Sequence, residues 1–259
     1  MEFVQISTEL LSLLFAVAII AGLLDTLAGG GGLIALPALI LSGVPPLTAL
    51  GTNKLQGSMG TATATFMMLK NKRIKWPEVK KLMLFAFVGA LFGTVGVQFV
   101  DQKVLSYVIP IVITFIGVYF LFSTKTIEQQ TSPKISSHHY QHIVIPTIGC
   151  YDGFFGPGTG SFFSLAGVSL RGQGIIDATA IAKPLNFATN IASLIIFILA
   201  GKIVWTIGFV MIFGQVIGAW IGAHCLFSIN PKYLRLLVVF MCFGMLIKYS
   251  HSMGWLSVV

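Results

Sequence analysis

The sequence predicts an all-α integral membrane protein of about eight transmembrane helices plus two Gly-rich broken or re-entrant segments, built from two homologous repeats of inverted orientation. Three observations carry that prediction. Of the 259 residues, 56% are hydrophobic and 9% charged, and the mean hydropathy of +0.91 exceeds what a soluble core of this length requires. The apolar residues fall in runs close to the roughly 20 residues that cross a bilayer. A single offset of 129 positions superimposes one half of the chain on the other, relating Gly43 to Gly172, Ala49 to Ala178, Lys54 to Lys183, Ile74 to Ile203, Trp76 to Trp205, Gly89 to Gly218, Ala90 to Ala219 and Gly93 to Gly222.

Taken in order, long apolar stretches occupy about residues 7–28, 47–69, 79–99, 104–123, 175–200, 204–227 and 231–249. Two further regions, about 32–43 and 141–170, are interrupted by glycine or proline, which rules out one regular helix for each. A polar, proline-interrupted stretch near Lys125 to Gln141 divides the chain into a first membrane repeat (1–124), a loop (125–140) and a second membrane repeat (141–259). Met1 to Glu9 lacks the positive segment and cleavage site of a signal peptide, so the first helix is expected to be retained.

The formal charge of +8 invites a nucleic-acid reading, but the basic residues sit in short loops between apolar runs, as the positive-inside rule describes. The loop after the second long helix holds Lys70, Lys72, Arg73, Lys75, Lys80 and Lys81, whereas its counterpart in the second half holds Lys202 alone. Such inequality between equivalent loops places them on opposite sides of the membrane and favours inverted over parallel repeats by a thin margin. Cys150, Cys225 and Cys242 show neither pairing nor metal spacing and read as small buried hydrophobes. His138, His139 and His142 have no carboxylate or cysteine beside them and read as a solvated loop, so neither metal nor cofactor is expected.

Chemistry concentrates in a duplicated Gly-rich stretch that carries one aspartate and one lysine per copy. The first runs from Asp25 through Gly29, Gly30, Gly31 and Gly32 to Lys54; the second runs from Asp152 through Gly156, Pro157, Gly158 and Gly160 to Lys183. Charges within membrane spans mark substrate or ion paths. Broken backbone persists there only where protein or a watery cavity satisfies it, and a helix restarting after a break points N–H groups and a positive dipole end at the gap. Two ammonium groups beside two such ends make a cage for an oxyanion. The plainer alternative is that Lys54 and Lys183 pair with Asp25 and Asp152 and hold the halves together, with glycines serving close packing, as Gly89, Gly93, Gly218 and Gly222 are expected to do. Thr52, Asn53 and Gln56 beside Lys54, and Asn186 and Asn190 after Lys183, either complete the shell or bond between helices. Asp177 reads as a helix N-cap.

The segments DTLAGGGGLIALPAL, GTNKLQGS, YDGFFGPGTGSFF and AKPLNFATN resemble the sulfite exporter TauE/SafE family, most closely its YfcA-like members, and the resemblance spans about residues 10–250. It implies a bacterial-type multi-pass permease of the cell (inner) membrane for organosulfur anions such as sulfite or sulfonates. It also implies that Asp25, Gly29 to Gly32, Asn53, Lys54, Gln56, Asp152, Gly156, Lys183 and Asn186 fall at the family's marked positions. Thr159 and Pro184 depart from the pattern without removing a charge. The expected partners are a small anion, the lipid bilayer and a coupling proton or other ion, with no nucleic acid; an oligomer is compatible with all of this. The chain lacks H-E-x-x-H, G-x-S-x-G and P-loop signatures, which points away from an enzyme and from ATP-driven transport. An anion channel, or a membrane scaffold or maturation factor, are the alternatives to alternating access at a site between the repeats.

Overall fold

The computed structural model describes residues 7–122 and 131–226. The expected span at 231–249 and Cys242 lie outside them. The described residues form helices α1 (Thr8–Ala28), α2 (Gly32–Leu41), α3 (Pro46–Lys70), α4 (Trp76–Val97), α5 (Gln102–Phe122), α6 (Ser137–His139), α7 (Ile145–Phe154), α8 (Thr159–Arg171), α9 (Ile175–Leu199) and α10 (Trp205–Cys225), with no strand among them. A widened turn over Tyr140–Val144 joins α6 to α7. Four of these helices, α1, α4, α9 and α10, are long and apolar enough to cross a membrane. Helix α3 is as long as α9 but is studded with glycine, threonine, Asn53, Lys54 and Gln56, and most of these are buried. With α9 it forms the centre of the bundle, where small residues permit close neighbours.

The surface is the inverse of a soluble protein's. Phe92, Phe99, Phe213 and Leu199 are largely exposed, while Lys54 and Lys183 are among the most deeply buried side chains. Hydrocarbon around the bundle accounts for both, since exposed apolar surface on this scale is costly only against water.

Two helix pairs frame the centre, α1 with α10 and α4 with α7. Added Cβ atoms at Gly89 and Gly93 of α4 would run into the carbonyls of Pro146 and Cys150, and at Gly218 and Gly222 of α10 into the backbone of Ile19 and Leu23 and the side chain of Thr26. All four glycines therefore serve backbone-to-backbone packing, as expected from their sequence positions.

Helices α3 and α9 run antiparallel: Asn190 Nδ2 donates to Thr61 Oγ1 at 3.4 Å, while the 200–204 turn folds back on the start of α3, where the Val204 N–H donates to Thr52 Oγ1 at 3.0 Å. Ile74 and Val79 cluster with Ala223 and Leu226, and Leu82 and Met83 with Ile135, Tyr140 and Leu170. One end of the bundle thus collects Lys70, Lys72, Arg73, Lys75, Lys80, Lys81, Lys134 and Arg171. Leu105, Ile203 and Val204 pack with Leu47 and Val97, which places Lys103 and Lys202 at the other end.

Several sequence expectations change. Residues 32–41 form one α-helix with Pro37 inside it, because the break falls before Gly32 rather than within the segment. The histidines are helical rather than in a loop: His138 and His142 stack at 4.1 Å one turn apart, and His142 also meets Phe85. Asp177 lies in the first turn of α9 rather than at its N-cap, which is Gly174, and its charge faces the positive dipole end. Cys150 is exposed, since it is its main-chain carbonyl that packs on Gly93.

Candidate functional site

Two interruptions of helical backbone meet at the centre. After Ala28 the chain turns through Gly29, in left-handed conformation with φ 74°, and restarts as α2 from Gly31. After Phe154 it turns through Gly156 and Gly158, with φ 91° and 79°, and restarts as α8. A residue with a Cβ resists these dihedral angles. At Gly29 a Cβ would also strike the backbone of Gly160 and Ser161, so the two breaks cross in direct main-chain contact.

The crossing satisfies the end of α1 from the other half of the chain. Ser161 Oγ donates to the Ala28 carbonyl, and Lys183 Nζ donates at 2.5 Å to the Asp25 carbonyl, which also accepts the Gly29 N–H at 2.7 Å. These are helix-terminal acceptors that need partners, and a cation suits the negative end of the dipole. The Asp25 carboxylate takes the Gly31 N–H at 3.3 Å, at the start of α2.

Lys54 and Asp152 form a buried ion pair, Nζ to Oδ1 2.9 Å, with side-chain exposures of 2% and 1%. Thr159 Oγ1 lies 2.7 Å from the same oxygen and 2.7 Å from the Gly156 carbonyl, so its single hydroxyl proton serves one of the two at a time. The carboxylate's second oxygen, Oδ2, is buried and accepts nothing among the described residues; the same holds for Oε1 of Gln56 and Oε1 of Gln215. Gln56 Nε2 donates to Asn53 Oδ1 at 2.8 Å, fixing both side chains along one face of α3.

These groups surround a cavity of about 20 Å³, lined by Asp25, Gly32, Asn53, Lys54, Gln56, Gly57, Asp152, Gly156, Asn186, Asn190 and Gln215. That is room for about one water-sized group. Nine residues singled out in the sequence come together here: Asp25, Gly32, Asn53, Lys54, Gln56, Asp152, Gly156, Asn186 and Asn190. Others do not line it. Gly29 and Gly160 are consumed by the crossing, Gly31 gives its amide to Asp25, Gly30 and Gly158 belong to the turns, and Lys183 points to the end of α1. Gly57 and Gln215 were not foreseen. Gln215 had a readable signal, a lone amide side chain inside the apolar run of α10, and polar groups inside membrane spans are expensive unless used. No cluster of metal-ligating side chains occurs among the described residues.

Comparison with known proteins places the chain among membrane transporters. No solved structure matches the chain. It is 40% identical over 251 residues to a Haemophilus influenzae protein named probable membrane transporter protein, covering 97% of this chain and 98% of that one. It is 41% identical over 235 residues to the probable membrane transporter protein YfcA of Escherichia coli strain K12, covering 91% and 87%. A third relative, the probable membrane transporter protein ORF9 of a Sinorhizobium species, is 35% identical over 244 residues, 94% of each chain. The family described as sulfite exporter TauE/SafE matches residues 14–249. With that match spanning nearly its whole length, the chain belongs to the sulfite exporter TauE/SafE family of membrane transporters.

Proposed function

We propose that this protein is a secondary transporter of small anions of the oxidised-sulfur or sulfonate class, working by alternating access at the central cavity. The observation that carries the proposal is the Lys54–Asp152 ion pair buried at the crossing of two broken helical segments, beside a polar cavity walled by both halves of the chain. An ion pair held away from water is a weak stabiliser, because desolvation offsets most of the attraction. An anion that takes over one ammonium makes use of what is otherwise a structural cost. Lys54 is the anion's charge partner in this reading, with Asn53, Gln56, Asn186 and the Gly32 and Gly156 segments around it. Lys183 keeps the end of α1 in place, and Asp25 and Asp152 gate the site or take coupling protons.

The halves 1–124 and 141–259, joined by 125–140, act as inverted repeats. Support comes from the antiparallel course of α3 and α9, and from the exchange by which α1 packs on α10 while α7 packs on α4. The end that collects Lys70–Lys81, Lys134 and Arg171 then faces the cytoplasm across the cell (inner) membrane. The cavity has room for about one water-sized group, so in this reading cargo enters as the crossing opens, which favours a carrier over a standing pore.

The test is flux of sulfite, sulfoacetate and thiosulfate into proteoliposomes, with counterflow to separate carrier from channel. Lys54→Met is expected to lower flux at least tenfold, the loss of about one charge-assisted contact or more, while the protein stays folded by size-exclusion chromatography. Undiminished flux in that variant removes Lys54 from the mechanism.

A further inference from the structure

We infer that Asp152 is the proton carrier of this site, taking up one proton when Lys54 turns from its carboxylate to the transported anion. The inference rests on Lys54 being the anion's partner, as proposed above. In the ion-paired arrangement Asp152 Oδ1 holds both donors, Lys54 Nζ and Thr159 Oγ1, and Oδ2 holds none. Once Lys54 leaves, at most one hydroxyl, shared with the Gly156 carbonyl, remains for a carboxylate that is 1% exposed. An isolated charge in such surroundings is the costliest arrangement available, and the group neutralises instead. The proton comes from the aqueous side and binds a carboxylate oxygen of Asp152; with a monoanion the site's net charge is unchanged, because Lys54 exchanges one anionic partner for another while Asp152 becomes neutral, and a dianion such as sulfoacetate leaves one net negative charge on the site. On release of the anion the proton leaves and the ion pair re-forms.

The neighbours suit this exchange. Gln56 and Gln215 line the same cavity, and each presents a buried amide oxygen with no donor, so the hydroxyl of a protonated Asp152 meets a surplus of acceptors. The cavity's volume admits a water-sized proton relay, and the Lys54 ammonium disfavours a metal cation there. Charged and titratable groups around Asp152 are Lys54 on α3, Asp25 on α1 and Tyr151 on α7 itself, with Lys183 on α9 beside Asp25; α4 faces this stretch with Ala90 and Thr94. Asp25 is placed differently. Its carboxylate is held by the Gly31 amide at a helix start and lies in the field of Lys183, which is itself fixed on the Asp25 main-chain carbonyl, so the departure of Lys54 leaves Asp25 with both partners.

The experiment uses the full chain in weakly buffered proteoliposomes with an internal pH dye and an imposed sulfoacetate gradient, pH initially equal on both sides. Expected is proton movement with the anion at about one proton per sulfoacetate, a ratio that falls at least tenfold in Asp152→Asn and is unchanged in Glu9→Gln, an exposed carboxylate outside the site. Sulfoacetate flux without proton movement in the unmodified protein, or proton movement persisting in Asp152→Asn, overturns the inference and leaves the transporter reading intact. Absence of flux of sulfite, sulfoacetate and thiosulfate alike overturns both. Should Asp152→Asn not fold, Asp152→Glu decides: a displaced pH profile of flux with the proton ratio retained supports the assignment, and an unchanged profile overturns it.

Discussion

Single residues at the crossing divide into those that hold it and those that use it, and the two lysines illustrate the division. By sequence they are equivalent, one at each end of the 129-residue offset; in the fold Lys54 meets a carboxylate beside a cavity, whereas Lys183 meets a carbonyl at a helix end. The difference lies in what each ammonium reaches across the bundle, which no local pattern encodes. Gly29 belongs to the holding class. Gly29→Ala places a methyl group at φ 74° and against the Gly160 backbone, which costs about 1–3 kcal/mol in strain before the collision is counted. A fall in thermal unfolding temperature, measured in detergent, is the expected result, and an unchanged temperature contradicts the packing described. The charged site residues were legible in sequence because charges inside apolar runs stand out. The separation of Gly29, Gly31 and Gly160 from the cavity was not, because a glycine that lines a site and one that lets two backbones touch look alike in a string.

At the level of elements, small residues set the distances between helices. Gly93 lets α4 approach α7 until carbonyl meets Cα, while Gly96, one turn on, faces the Phe154 ring with ordinary contact room of 3.7 Å. Gly93→Val is therefore expected to reduce the yield of monodisperse protein severalfold by overpacking, whereas Gly96→Ala is tolerated; size-exclusion profiles of the two variants check the contrast. Element type was readable from length and composition: α1, α4, α9 and α10 fall where the apolar runs predicted them. Helix α2 was misjudged because Pro37 and the glycines before it suggested interruption inside the segment, and proline's fixed φ is compatible with helix once a break upstream absorbs the change of direction.

For the whole molecule, the gathering of basic side chains at one end gives an orientation that is directly measurable. With Cys150, Cys225 and Cys242 replaced by serine, single cysteines at positions 72 and 202 are expected to react with a membrane-impermeant maleimide from opposite sides, position 202 in intact cells and position 72 after permeabilisation. Labelling of both from one side contradicts the inverted arrangement. Charge counting alone gave a thin margin for this because it treats loops as points along the chain. The fold adds that the 200–204 turn lies beside Thr52, at the far end of α3 from Lys70.

The capping of α1 by Ser161 and Lys183 also has a temporal meaning. The Ala28 carbonyl finds its partner 133 residues later in the chain, so while the ribosome is still working the end of α1 is incomplete. At ordinary synthesis rates that interval is on the order of ten seconds, spent in a bilayer that offers no water to stand in for the missing donor. The first half is thus inserted before it is finished, and the later half completes it.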